Sequence, residues 1–146
     1  MAKITQMGLQ HSVIEYLKAR TGLRTDWVYD GYVKPKGETF ITVEQMQNNY
    51  EYIVKLRESV QAINRFQVGL HAMSSSERSR LQDEIKRIFI FDRFPYIDTS
   101  KSPAETCGFF NVELTAEVPM TSDDITDKSG FHTIYFDIEI DTINRR

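Results

Sequence analysis

Carboxylates at alternating positions are the residues whose spacing in this sequence could support catalysis. They lie on two segments near the C-terminal end, and the set comprises Glu113, Glu117, Asp137, Glu139 and Asp141. Carboxylates two residues apart on a strand project from one face, as a two-metal nuclease would require. The solvent face of any half-buried strand gives the same pattern. We favour that interpretation because nucleases usually add a basic track for phosphates, and this region has none.

The histidines and the single cysteine do not form a recognisable site. His11, His71 and His132 have no ligand-like spacing to one another or to Cys107, whereas a zinc site needs about four converging ligands. The sequence also contains no phosphate loop, dinucleotide fingerprint or nucleophile elbow. We therefore predict no catalytic residue, no cofactor and no metal, and we expect Cys107 to be a small, partly buried side chain.

Charge is unevenly distributed along the chain. Residues 1–103 carry 15 Lys and Arg against 12 Asp and Glu, whereas residues 104–144 carry 9 Asp and Glu against one lysine. Such an acidic region repels nucleic acid at close range, although it could equally be a solvated face. Basic residues that could touch DNA alternate with acidic ones, so specific DNA reading is not expected. They are Arg78, Arg80, Lys86, Arg87 and Arg93, among Glu77, Asp83, Glu84 and Asp92.

Length and composition predict a single globular domain, residues 1–146, with a core that needs no disulfide or metal. The hydrophobic fraction of 40% is ordinary for this class. No apolar run approaches the ~20 residues that span a bilayer, and the first residues do not resemble a signal peptide. A lone cysteine suits a reducing cytoplasm. We expect a protein made in the cytoplasm that does not enter a membrane.

The first half of the chain predicts a helix followed by extended segments. Apolar residues spaced as in an amphipathic helix cover residues 6–21, and Gly22 follows as a stop. Residues 25–33 and 39–44 favour strands, which we expect either to form a hairpin or simply to be joined across the Lys34–Gly37 turn. Residues 46–61 have features of both strand and helix, and we expect them to form a mobile or partly extended excursion.

The second half predicts a strand, a helix and two long strands. Residues 63–72 alternate with a period of two, and Ser74 with Glu77 favours a capping box that opens a helix to about Phe89. Residues 90–103 are expected to form a connector. The segments 109–118 and 132–143 alternate throughout, so each should have one buried and one acidic face. The fold class is therefore α+β, with a mostly antiparallel sheet of about five strands and both helices on one face.

Candidate contact residues lie in the two connecting segments. Phe94 and Tyr96, beside Pro95, could form an exposed contact surface, but we favour the interpretation that they cover the core. The polar loop between the last two strands is too long for a tight turn and is a candidate subunit contact. Its candidate residues are Met120, Asp123, Asp124, Ile125 and Lys128.

The order of elements resembles the tail terminator and tail-completion proteins of long-tailed bacteriophages. The resemblance rests on an N-terminal helix, an aromatic strand, a Lys-Pro-Lys-Gly turn and the segments 39–44, 64–72, 76–89 and 135–140. It covers most of the chain in order and length, through patterns rather than signature motifs.

This resemblance implies a structural virion protein. Such a protein has helices on one side of a sheet, assembles as a homo-oligomeric ring of commonly six subunits, caps the tail tube and forms the joint to the head-side connector. The implied location is the head–tail joint of the virion, and DNA would pass through without specific binding. If the acidic ladder lined the lumen, it would keep that DNA from adhering. A head-completion or stopper protein is the near alternative, and a metal-dependent nuclease is the alternative of another class.

Overall fold

The computed structural model describes residues 4–52, 59–120 and 131–145 of the chain. Within these ranges the chain forms two helices and eight strands. The helices are α1 (Gln6–Thr21) and α2 (Ser75–Phe91). The strands are β1 (Arg24–Trp27), β2 (Phe40–Gln45), β3 (Asn49–Tyr52), β4 (Ser59–Ala72), β5 (Arg93–Asp98), β6 (Glu105–Asn111), β7 (Glu113–Pro119) and β8 (His132–Arg145). The predicted α+β class is confirmed.

Six strands form the main sheet, in the order β1-β2-β4-β8-β7, with β3 paired to β4 beyond the end of β2. The sheet is mixed rather than antiparallel throughout, because β1 and β2 run parallel. The predicted hairpin between them is therefore wrong. The connection 28–39 is long enough to carry the chain back to the starting edge, as a parallel pair requires. Gly31 and Gly37 in this connection adopt positive φ angles.

The two longest strands form the centre of the sheet. β4 and β8 pair antiparallel along their full length, from Ser59 opposite Arg145 to Ala72 opposite His132. Alternate residues face the helices and are buried, as the period of two predicts. These core residues of the two strands are Phe66, Val68, Leu70, Ile134, Phe136, Ile138 and Ile140.

The N-terminal helix begins and ends as the sequence predicts. The Thr5 hydroxyl accepts a hydrogen bond from the Gly8 amide at 3.0 Å, and Gly22, at φ 72°, closes the other end. The helix buries Leu9, Val13 and Leu17 in the core. These contacts stabilise it, since a helix of this length is marginal alone.

The second helix starts at the predicted capping serine. The Ser74 hydroxyl accepts from the Glu77 amide at 3.2 Å. The Glu77 carboxylate accepts in turn from the Met73 amide at 3.4 Å and from the Thr39 hydroxyl. The Thr39 bond in particular holds the pKa of Glu77 below its ordinary value. This side chain thereby ties the start of α2 to the residue before β2.

Ser74→Ala is expected to lower the free energy of unfolding by about 1 kcal/mol, because it leaves a helix amide without its side-chain acceptor. Urea denaturation followed by circular dichroism measures the difference. Ser79→Ala is the matched control, since Ser79 is exposed inside the same helix. Equal small changes at both positions would show that the cap contributes nothing.

Three expected boundaries differ in the structure. The connector 90–103 contains β5, which pairs with β6 in a separate two-stranded sheet. The strand expected over 109–118 is divided at Val112, because its first part pairs with β5 and its second part pairs with β8. The ambiguous segment 46–61 contains β3 and the start of β4, and residues 53–58 lie outside the described part.

The two-stranded sheet is fixed to α1 by buried and half-buried polar contacts. The Ile97 amide donates to the Ser12 hydroxyl at 2.8 Å, and the Thr5 amide donates to the Tyr96 hydroxyl oxygen at 3.0 Å. Gly8 provides the space for the Tyr96 ring, because a Cβ there would collide with it.

Neither helix, as far as the chain is described, is long and apolar enough to cross a membrane.

Candidate assembly surfaces

The side of the main sheet turned away from the helices carries the acidic residues and is here called the polar face. It is formed around Arg65 and Gln67 of β4 and Asp137, Glu139 and Asp141 of β8. Arg65 Nε lies 3.0 Å from a Glu139 carboxylate oxygen, and the Gln67 amide donates to Asp137 at 3.4 Å. A groove of about 260 Å³ runs between these strands and is also lined by Met46 and Thr115.

The predicted carboxylate ladder is only partly assembled on this face. Asp137, Glu139 and Asp141 alternate with buried isoleucines and share the face, and Glu113 of β7 lies directly opposite Glu139. Glu117 does not join them. A register shift between Leu114 and Ala116 inserts an extra residue into β7, so the residues beyond it change sides.

Glu117 instead binds the second helix. Its carboxylate lies 3.3 Å from the Lys86 ammonium group of α2. The prediction that Glu117 shares one face with Asp137, Glu139 and Asp141 is therefore wrong. Strict alternation of residue types cannot reveal a β-bulge.

One end of the polar face is closed by a buried histidine. His71 is 1% exposed, with Nε2 at 3.0 Å from the Thr42 hydroxyl and Nδ1 at 3.1 Å from the Thr133 hydroxyl. The Phe40 ring stacks on it with centroids 4.5 Å apart. This ring is thus a structural part of the sheet, held by hydroxyl groups of its two neighbouring strands.

The aromatic residues proposed for an exposed contact surface are internal. Phe94 is 0% and Tyr96 is 3% exposed, so neither belongs to a contact surface of the folded chain. The favoured alternative, that they cover the core, agrees with this burial. Their strand β5 alternates inward and outward residues, and both side chains fall on the inward positions.

The predicted loop contacts lie mostly outside the described residues. Met120 is half-buried, and its amide donates to the Thr133 carbonyl at 3.0 Å. Asp123, Asp124, Ile125 and Lys128 lie outside the described part of the chain.

Strand edges form the second type of candidate assembly surface. β7 is the last strand of the sheet order and pairs with β8 only as far as Glu139. Beyond that point β8 continues for six residues with β4 on one side and no described strand on the other. Ile143, within this segment, is 55% exposed. An edge of this kind can accept a strand from another chain.

A third surface combines arginines with exposed phenylalanines and was not predicted from the sequence. The Arg87 guanidinium lies 5.3 Å from the centroid of the Phe91 ring, and that of Arg93 lies 4.8 Å from the Phe109 ring. We call Arg87, Phe91, Arg93 and Phe109 the arginine–phenylalanine patch. Phe91 is 69% and Phe109 58% exposed. The available signal was Phe91 itself, which departs from the apolar stripe of α2.

A groove of about 240 Å³ adjoins this patch between the two helices. Asp92, which lines this groove, accepts a hydrogen bond from the Tyr16 hydroxyl at 2.8 Å, and Arg20 pairs with the same carboxylate at 3.3 Å. Burial and the neighbouring Asp92 carboxylate raise the pKa of Tyr16. Asp92 is therefore already paired with Tyr16 and Arg20.

No group of three or more His, Cys, Asp and Glu side chains that could hold a metal ion occurs within the described ranges. Cys107 is half-buried, and its sulfur lies 3.9 Å from the Lys101 ammonium group.

In comparisons with known proteins, no family model and no curated protein matches this chain.

Proposed function

We propose that this chain is a structural protein of a long-tailed bacteriophage that caps the tail tube, ends its polymerisation and joins the tail to the head connector. It would act as a ring of identical subunits, commonly six, in contact with the tube protein on one side and the connector on the other. The proposal has its origin in the resemblance of the element order to tail terminator proteins.

The observation that carries the proposal is the one-sided architecture of the sheet. Both helices pack on one face, and the other face is charged. Among the described residues, β7 and the end of β8 each have no neighbouring strand on one side. Of this arrangement, the resemblance implies the helices on one side of the sheet. A subunit with such edges can be completed by its neighbour, and a single head-to-tail contact repeated around an axis closes a ring.

The polar face supports a passage for DNA in the same proposal. Asp137 and Glu139 are half-buried and Asp141 is exposed along one strand. A lumen lined by carboxylates repels the phosphate backbone and so leaves the DNA free to slide. The same residues give less support to a nuclease, because Glu139 already pairs with Arg65 and Glu117 lies on the other side.

Electron microscopy of phage particles made without this protein tests the proposal. Tails of uncontrolled length that fail to join heads are the expected result, and a supplied copy of the gene should restore both. Tails of normal length beside heads that leak DNA would instead favour the head-completion or stopper alternative. Normal tails joined to normal heads would refute both roles.

A further inference from the structure

We infer that the end of β8 is an edge on which a second copy of this chain pairs its own β8, antiparallel and centred on Ile143. Within the described part of the chain, β8 has no paired strand on that side over residues 140–145, because β7 accompanies it only as far as Glu139. The contact is two-fold, since the same segment serves on both copies. It goes beyond the ring proposed above, which needs a separate head-to-tail contact.

The direction of the backbone groups in β8 follows from its neighbour β4. Arg65 lies opposite Glu139 and turns its own backbone groups away from β8. Its carbonyl accepts from the Met46 amide at 2.8 Å, and its amide donates to the Asn48 side chain at 3.2 Å. Opposed residues of an antiparallel pair either exchange hydrogen bonds or both turn outward, and the two kinds alternate. Glu139 therefore directs its amide and carbonyl away from β4.

This outward direction repeats at every second residue of β8. The Thr133 carbonyl points the same way, because it accepts from the Met120 amide on the β7 side at 3.0 Å. The pairing of β8 with β4 has no register shift, so the pattern continues to Asp141, Ile143 and Arg145. Beyond the end of β7 the backbone groups of these three residues meet no strand within the described ranges. Such unpaired groups are a template for another strand.

The residue types on this edge complement themselves in one register. When the pair is centred on Ile143, Asp141 of each copy lies opposite Arg145 of the other, and opposite charges across two strands stabilise the pair. Asp141 is exposed and makes no ion pair among the described residues. Ile143, which is 55% exposed, meets its own counterpart. All of these residues turn their backbone groups toward the second copy, so each opposed pair exchanges both hydrogen bonds.

Charge also excludes the neighbouring registers. A pair centred on Asp141 sets two carboxylates against each other, which is destabilising. A pair centred on Thr142 sets Asp141 opposite Ile143 and requires Glu139, whose outer side is already occupied by β7. The second copy is therefore the occupant that the sequence of this edge matches. The inference moves Asp141 from the predicted lumen set to a contact between copies.

Sedimentation velocity of the full chain, at concentrations up to about 1 mM, tests this contact. Asp141→Arg and Arg145→Asp should each weaken self-association at least about tenfold, because each sets like charges opposite one another. The matched controls are Asp30→Arg and Arg80→Asp, which make the same charge changes at exposed residues outside the main sheet. Both controls should associate as the unaltered chain does, and circular dichroism should show all four variants folded.

Recombining the two changes identifies the register. An equimolar mixture of D141R and R145D should regain association, since in the mixed pair every arginine lies opposite an aspartate. The double variant D141R/R145D should regain it with itself, because the exchanged charges are again complementary. A general effect of either substitution on solubility or folding would not be reversed in this way.

Three outcomes would overturn the inference. They are an unaltered chain that stays monomeric at every concentration, single variants that associate normally, and a mixture and a double variant that are not rescued. Loss of binding to tube protein by R145D, with self-association intact, would overturn it too and assign the edge to that partner. The tails of particles made without the protein are unaffected by any of these results, so the proposed function is tested separately.

Discussion

Phe94→Ala is expected to lower the free energy of unfolding by about 3–5 kcal/mol. The side chain is 0% exposed and lies among the rings of Tyr16, Phe89 and Phe110, with centroids 4.6, 6.1 and 5.6 Å away. Truncation removes the buried ring and leaves a cavity that rigid neighbours cannot fill. The ring also packs β5 against Tyr16 of α1 and Phe110 of β6, so its loss should loosen the two-stranded sheet, although the Ile97–Ser12 and Thr5–Tyr96 hydrogen bonds remain.

Phe91→Ala is the matched control for this prediction. The same atoms are removed from a residue that is 69% exposed, so the change in stability should stay within about 0.5 kcal/mol. Urea denaturation of both variants, followed by circular dichroism and by fluorescence of Trp27, gives the comparison. Similar small changes at both positions would place Phe94 at the surface and return it to the candidate contacts.

The elements with strong local signals were predictable from the sequence. α1 begins at a capping threonine and ends at a glycine in a left-handed conformation, so local chemistry determines both ends. The alternation in the sequences of β4 and β8 correctly predicted strands, because each strand has one face on the core along its length. These signals depend on neighbours a few residues away, which a sequence displays directly.

The remaining features depend on residues distant in the chain. The parallel partner of β1 is chosen by the long connection 28–39 and not by any turn motif within it. β5 lies within the expected connector and forms by pairing with β6, and Pro95 is tolerated there because both strands of a two-stranded sheet are edge strands. The bulge in β7 moves Glu117 to Lys86, and a single inserted residue leaves no compositional trace.

The residues of the candidate surfaces also divide into those that local sequence predicts and those that depend on the tertiary structure. The carboxylates of β8 could be assigned to one face from their spacing, whereas the cation that faces Glu139 comes from β4, seventy-four residues away. The exposed phenylalanines of the arginine–phenylalanine patch belong to α2 and β6, which only the tertiary structure brings near each other. The residue types could be read from the sequence, but the surface to which each residue belongs could be assigned only from the three-dimensional structure.

Gly69→Ala is expected to destabilise the fold by about 3 kcal/mol. A Cβ at this position would lie 2.6 Å from Thr42 Oγ1, 2.9 Å from His71 Nε2 and 3.0 Å from Tyr135 Cε1. The strands on both sides must separate, which costs about 1–3 kcal/mol as overpacking. The Thr42–His71 hydrogen bond is lost with it, and an unsatisfied buried group costs about 1–3 kcal/mol more.

Alanine also has a stabilising effect relative to glycine, but it is smaller than these costs, so Gly69→Ala is still expected to lower the free energy of unfolding. Alanine is favoured over glycine inside a strand by about 0.5–1 kcal/mol, because the unfolded chain has less freedom to lose. A double-mutant cycle with Thr42→Ala isolates the collision, since that change removes the nearest obstructing atom. Gly69→Ala should therefore cost at least 1 kcal/mol less, as an order-of-magnitude estimate, in the Thr42→Ala background. If the two changes in the free energy of unfolding are strictly additive, the Thr42 hydroxyl is not what excludes a larger side chain at position 69. The neighbouring strands would then move apart to accommodate the alanine.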